Sequence, residues 1–456
     1  MLQNGFSRMI PKSKVNNLAE SALERPQSIG PAYREPPTLK STIFVITLIA
    51  MWEGVPFTFL GFDDSLGCKI VAIVALLGLP LFWLKSASGS VRFTAYHASA
   101  IAFVLWCVLI SFNFNTFVEP KPIAQWLPSA YIVMPITLIF ILQATGTKIS
   151  DCENAIIFAG LIGSIFAIID SLLDLGLLSF YQRSGSDGAI RIVFFKMPAL
   201  FAFIICFTKI FIGRNLGSVI GYSVISIITL YNVVVLTESR LSLGGIIIAI
   251  FCIFLYVLRG ARRVYLGITI IVGGIPALSY IADKFLSNFV SFDQYFKSDV
   301  SAWFRSREIE HFSAAFDRTQ GLGFGFMSLN AAYNNTLTFA AYEAGRLVGT
   351  GKYGMALTDI GLYSALYQFG YVGLVSILFL TFLTGVTLIR SRRLGIDFYT
   401  TSAFGCLMLS LLVSPISINF FTIQFAAHLG AIAYFMAAEC SQLSRRYGVI
   451  HLSTVQ

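Results

Sequence analysis

Residues 154–178 read NAIIFAGLIGSIFAIIDSLLDLGLL. At about 1.5 Å per residue, a helix over this run reaches past the roughly 30 Å hydrocarbon core of a bilayer. Its apolar residues follow one another without the strict alternation of a barrel strand, which excludes an outer-membrane barrel. Comparable runs recur along the chain, so the spacing predicts helices near 41–60, 70–84, 96–113, 128–145, 154–178, 192–213, 217–237, 242–258, 264–283, 361–389, 400–414 and 417–438. Composition agrees. Hydrophobic residues make up 56% and charged residues 12% of the 456 residues, and the mean hydropathy is +0.76. Soluble domains hold about 45–50% apolar and 25% charged residues. The expected fold class is all-α, a polytopic membrane helix bundle of about 12 transmembrane helices.

The net charge of +9 does not form a dense basic face interleaved with aromatics, so nucleic acid is not an expected partner. The charge reads as topological. With the N-terminus inside, about 19 of the 32 basic residues fall on one side of the predicted membrane, including the Arg259/Arg262/Arg263 and Arg390/Arg392/Arg393 clusters. About 13 fall on the other, about seven of them in one long loop. This pattern predicts cytoplasmic termini. Residues 1–40 are polar and proline-bearing and are expected to be a disordered cytoplasmic tail; 41–283 and 359–438 hold the membrane helices, 284–358 an external loop, and 439–456 a second cytoplasmic tail. The seven cysteines form no CxxC pair and suggest neither a disulfide framework nor a zinc site.

A connection of about 75 residues in a tightly connected bundle is long enough to suggest a functional loop. Within it, Trp303, Ile309, Phe312 and Phe316 recur near helical spacing, with Arg305, Glu308 and Arg318 elsewhere on the same segment, as in a helix lying at the membrane interface. The plainer alternative is a loop helix packed on the rim of the bundle. The four histidines, His97, His311, His428 and His451, have no metal-ligand spacing, and no Walker A or HExxH motif is present, so no metal or cofactor is expected. His97 and His428 fit structural roles inside the bundle. His311 lies among the charges of the loop.

External arginines are more informative. Arg183, Arg191, Arg240, Arg305, Arg307, Arg318 and Arg346 all fall on the predicted outer side. A guanidinium grips phosphate through a two-pronged fork, so their convergence suits a lipid-linked pyrophosphate. Surface ion pairs with Asp187, Glu238, Glu308, Glu310 or Asp317 are the plainer reading. Gly321-Leu-Gly323-Phe-Gly325 follows the loop helix, and Asp359 precedes Gln368-Phe-Gly370-Tyr-Val-Gly373. A carboxylate at Asp359 suits either a general base or a helix cap.

Thr237-Glu-Ser239-Arg240 at an outer helix end, the long loop with its arginines and glycine turn, and the re-entry helix with Gly-x-x-Gly together resemble the superfamily of O-antigen ligases and Wzy-type O-antigen polymerases. The resemblance covers roughly residues 220–390. It places the family's Ser-Arg motif on Ser239 and Arg240 and the loop arginine on Arg305 or Arg307, since Arg305 to Gly321 and Arg307 to Gly323 both keep an Arg-x15-Gly spacing. Where family ligases carry a His-Asn pair, this chain has Asp359 and Ile360, which favours a polymerase.

The resemblance implies transfer of oligosaccharide from undecaprenyl pyrophosphate to another carrier-linked unit, on the outer face of a bacterial inner membrane, without metal or nucleotide. Arg240, Arg305 or Arg307, and Arg191 are then the candidate pyrophosphate ligands, and Asp359 or His311 the candidate base. Implied partners are the undecaprenyl-pyrophosphate-linked oligosaccharide, the lipid bilayer, a chain-length regulator and export machinery. Tyr333, Tyr342, Tyr353 and Tyr363 are candidates for stacking on sugar rings. The alternatives are a ligase, disfavoured by the missing His, and a lipid-linked oligosaccharide flippase or other transporter, for which Asp170, Asp174 and Lys196 are the charges within or beside predicted spans.

Overall fold

The computed structural model describes residues 37–62, 65–89, 91, 93–184, 190–212, 215–237, 300–326, 336–343, 346–354 and 362–393, together with short pieces of 246–268. Ser239, Arg240, Asp359, the predicted spans at 400–414 and 417–438, residues 1–36 of the predicted N-terminal tail and the predicted C-terminal tail lie outside the described residues, as do the side chains of Arg183, Arg305 and Arg307, whereas Leu39 and Lys40, predicted in the tail, already belong to the first helix.

The described chain is mostly helical. In order it forms α1 (Leu39–Trp52), α2 (Val55–Phe59), α3 (Ser65–Ala87), α4 (Ala95–Asn113), α5 (Ile123–Trp126), α6 (Leu138–Ala144), α7 (Ile149–Leu173), α8 (Lys196–Ile212), α9 (Leu216–Tyr231), α10 (Val300–Asp317) and α11 (Leu362–Arg393). Among the described residues, four helical stretches are long and apolar enough to cross a membrane: Leu66–Ala87, Ala95–Val118, Ile149–Leu173 and Leu216–Leu236. Their outward residues stay apolar. Trp83, Phe117, Leu172, Leu216 and Ile227 are all exposed, as a lipid-facing surface requires.

Several predicted boundaries move for identifiable reasons. The run 41–60 is broken at Glu53 and Gly54, where Gly54 adopts φ 72°. Within 128–145, Pro128 and Pro135 open two short 3-10 segments, Leu127–Ile132 and Met134–Thr137, before α6 begins, because proline has no N–H for the helical ladder. The run 192–213 starts as a helix only at Lys196, since Ile190–Ile192 (β2) pairs antiparallel with Gln182–Ser184 (β1). A second hairpin, Thr336–Glu343 (β3) with Arg346–Gly354 (β4), occupies part of the long loop. Both hairpins are additions to the all-helical expectation.

Polar pairs fix which helix ends lie together. Asp151 accepts hydrogen bonds from the backbone N–H of Thr38 (2.6 Å) and Lys148 (2.9 Å), so α1 and α7 start at one end. Lys209 Nζ lies 3.0 Å from Glu153 Oε2, bringing the end of α8 there. Gly67 at the start of α3 packs on Met51 near the end of α1, while Phe82 near the end of α3 stacks on His97 at 4.7 Å, so α4 also starts with α1 and α7. The opposite end therefore gathers Glu53, the close of α4, the loop after α7, the β1–β2 hairpin and the close of α9.

Candidate functional site at one end of the bundle

Two substructures form this opposite end. The first is the β1–β2 hairpin, whose register places Arg183 directly across from Arg191. It is anchored on three sides. Val193 N donates to Tyr181 O (2.9 Å), the Tyr181 hydroxyl donates to the backbone carbonyl of Glu53 (3.4 Å), and Thr237 Oγ1 donates to Ile192 O (3.2 Å). Thr237 ends a π-helical turn, Asn232–Leu236, that closes α9. Such wide turns expose backbone and side-chain amides and recur at functional sites. Here Asn232 Nδ2 donates to Ser164 Oγ (3.1 Å) and Phe194 O (3.3 Å), fixing the chain as it leaves the hairpin for α8. Arg240 thus follows, three residues on in the sequence, a threonine tied to the strand of Arg191. Arg191 itself is half-buried.

The second substructure is a glycine strap on a broken helix. α11 is interrupted at Gly370, with φ 69° and ψ −173°. In an unbroken helix the Tyr371 N–H would donate to Tyr367 O. Instead Tyr371 N donates to Gly321 O (3.1 Å), while Tyr367 O accepts from Phe324 N (3.0 Å) and Gln368 O from Gly325 N (2.6 Å). The Trp106 indole donates to Phe369 O (2.6 Å). The strap is also tied to α4: Phe326 N donates to Ser111 Oγ (2.8 Å), and Asn115, in a second π-helical turn, reaches Phe326 O (3.5 Å).

Glycine is required by this contact. Gly321, Gly323 and Gly325 have φ of 80°, 88° and 71°, and a Cβ on Gly323 would meet Gln368 O at 2.5 Å and Gly370 N at 2.6 Å.

The strap brings α10 with it. Phe312 and Phe316 are buried against Phe324 and Tyr367, and the Tyr367 hydroxyl donates to Ile309 O (3.3 Å). The apolar face expected to lie in the membrane interface is therefore covered by protein, as in the rim-packed alternative. Glu308, one turn before Phe312, is fully buried. The α-helical backbone places the Arg305 position one turn before Ile309, on the docked side. The Arg307 position falls one turn before His311, which is exposed with its ring 5.2 Å from that of Phe312.

Of the predicted site residues, Arg191 and His311 are described with their side chains, Arg305 and Arg307 by backbone alone, and Arg240 and Asp359 lie outside the described residues. Tyr342 and Tyr353 fall on the β3–β4 hairpin, Tyr363 lies exposed on α11, and Tyr333 is outside. The charges considered for transport have local roles. Asp170 accepts from the N–H groups of Leu177 (2.8 Å) and Leu178 (3.2 Å), capping the loop after α7, and Asp174 is the left-handed residue that ends α7. His97 sits between Thr94 and Gln143 in a structural role.

One residue escaped the sequence reading. Glu53 closes α1 at this same end, 8% exposed, and its Oε1 has no hydrogen-bond partner among the described residues. An acidic residue inside the first apolar run was the available signal.

Compared with known proteins, the chain matches no family model and no curated sequence.

Proposed function

We propose that this protein is a polysaccharide polymerase that joins undecaprenyl-pyrophosphate-linked oligosaccharide repeat units at the outer face of a bacterial inner membrane, without metal or nucleotide. The observation carrying this reading is the opposition of Arg183 and Arg191 on a hairpin tied to the close of α9, three residues before Arg240. Two arginines at facing register positions concentrate guanidinium groups on one short hairpin, a placement suited to an anion. A diphosphate suits several guanidinium groups better than a single carboxylate does, because each fork grips two oxygens.

In the reaction, an acceptor sugar hydroxyl attacks the anomeric carbon of the donor repeat. The new C–O bond forms as the bond to pyrophosphate breaks, and the electron pair leaves with the phosphate oxygen. Arginines at the leaving group stabilise the charge that develops there, and a base takes the hydroxyl proton. The strap and α10 hold the loop arginine positions Arg305 and Arg307 against the same end of the bundle. Asp359 in place of the ligase His favours polymerisation over transfer to a different acceptor.

The test is the size distribution of envelope and secreted glycans in a strain lacking the protein, complemented with wild type or Arg240→Ala. Single repeat units in place of a ladder support the polymerase. Intact polymer retained on its lipid carrier would make the protein a ligase, and repeat units trapped on the cytoplasmic leaflet would make it a flippase.

A further inference from the structure

We propose that Glu53 is the general base of this site, accepting the proton of the attacking sugar hydroxyl. The assignment rests on the polymerase reading above. Glu53 closes α1, where the helix presents its unpaired carbonyls and the negative end of its dipole, a poor place for a carboxylate. It is more than nine-tenths buried, and Oε1 meets no donor among the described residues. Leaving a carboxylate oxygen unpaired in an apolar surrounding is expensive. Its neighbour Trp52, 5% exposed, has its indole N–H equally without a partner among the described residues.

A hydroxyl group is the partner Oε1 lacks, because it donates through its hydrogen. A carbohydrate acceptor is the ligand class that supplies such hydroxyls. Location supports the same assignment: the Glu53 carbonyl accepts the Tyr181 hydroxyl, and Tyr181 leads directly into the strand of Arg183. The acceptor would be held at Glu53 and the pyrophosphate at the arginines of the adjoining hairpin. The hydroxyl proton passes to the Glu53 carboxylate, the acceptor oxygen bonds to the anomeric carbon, and the carrier pyrophosphate departs with the bonding electrons.

The test uses the full-length protein in proteoliposomes, with the lipid-linked repeat unit accumulated by the deletion strain as substrate and undecaprenyl pyrophosphate as the binding probe. Glu53→Gln is expected to lower turnover at saturating substrate by about 10²-fold or more, the contribution of a positioned base, while undecaprenyl pyrophosphate binds within about threefold of wild type. Glu53→Asp is expected to retain more turnover than Glu53→Gln. Glu53→Gln and Glu53→Leu are both expected to melt at or above the wild-type temperature, since a residue kept for chemistry is a stability liability.

Normal polymerisation by Glu53→Gln would overturn the assignment. So would loss of probe binding in step with turnover, or a lowered melting temperature in both the Gln and Leu variants, which marks a structural residue. Failure of the wild-type protein to extend the repeat unit would instead defeat the polymerase reading, and with it the role given to Glu53.

Discussion

Replacing Gly323 by alanine puts the docking of the long loop under direct test. Two penalties apply. The residue has φ 88°, and holding an L-residue in the left-handed region costs about 1–2 kcal/mol. The added Cβ would also sit 2.5 Å from Gln368 O, 2.6 Å from Gly370 N and 2.8 Å from the Gln368 carbonyl carbon, all backbone atoms that cannot rotate away. Relief requires the strap to lift by roughly half an ångström or more, which stretches the 2.6 Å bond from Gly325 N and the 3.0 Å bond from Phe324 N towards the limit of useful geometry. Losing most of two buried hydrogen bonds adds about 2–3 kcal/mol.

Gly89→Ala isolates the first penalty, because Gly89 has φ 72° and open space around its Cβ position. Gly89→Ala leaves the strap itself untouched, so on the strap the two variants differ by both penalties together, about 3–5 kcal/mol, or roughly 150- to 5,000-fold in its opening equilibrium. Hydrogen exchange read by mass spectrometry on a peptide covering 318–326 measures that ratio. Polymer length in cells should shorten for Gly323→Ala and remain normal for Gly89→Ala. Equal protection in the two variants would refute the claim that strap and helix break form one interlocked unit.

Further expectations follow from individual contacts. Arg191→Ala should weaken undecaprenyl pyrophosphate binding by about 10- to 100-fold, the value of a charge-assisted phosphate contact, with Arg191→Lys recovering only part of it; unchanged titration curves would remove Arg191 from the site. Arg240→Ala should abolish long polysaccharide at normal protein level, as judged by glycan gels and immunoblots, and a normal ladder would defeat the arginine clamp. Trp106→Phe deletes the 2.6 Å donor to Phe369 O and should destabilise the protein by about 1–3 kcal/mol, visible as a lower melting temperature in detergent. Lys209→Met removes the cation 3.0 Å from buried Glu153 and should cost about 3–5 kcal/mol, whereas Lys209→Met combined with Glu153→Leu should recover most of that stability. A double variant no better than the single one would contradict the ion-pair account.

The membrane-type helical fold was legible because a span must satisfy its own backbone and therefore needs an uninterrupted apolar run. The run at 154–178 becomes helix Ile149–Leu173 without a tertiary decision. Breaks were less legible. Gly54 and Pro135 were visible as residues, yet whether a glycine or proline stops, kinks or merely bends a helix depends on what receives the freed amides and carbonyls. The same applies to Ile190–Ile192, apolar enough to open a helix but recruited as a strand by Gln182–Ser184.

For the site, the sequence determined the residue types and their spacing: arginines near the helix ends and in the long loop, and three alternating glycines after a loop helix whose phenylalanines recur at helical spacing. It did not determine what those glycines approach, because close contact between Gly323 and the backbone of Gln368 joins positions with no local relation in the chain. Nor did it decide that the apolar stripe of Phe312 and Phe316 packs on protein, since the same stripe serves a lipid surface equally well. The convergence of Glu53, Tyr181, Arg191 and Thr237 at one end likewise arises from tertiary packing. Each belongs to a different element, and only the antiparallel stacking of the helices brings those elements together at one end.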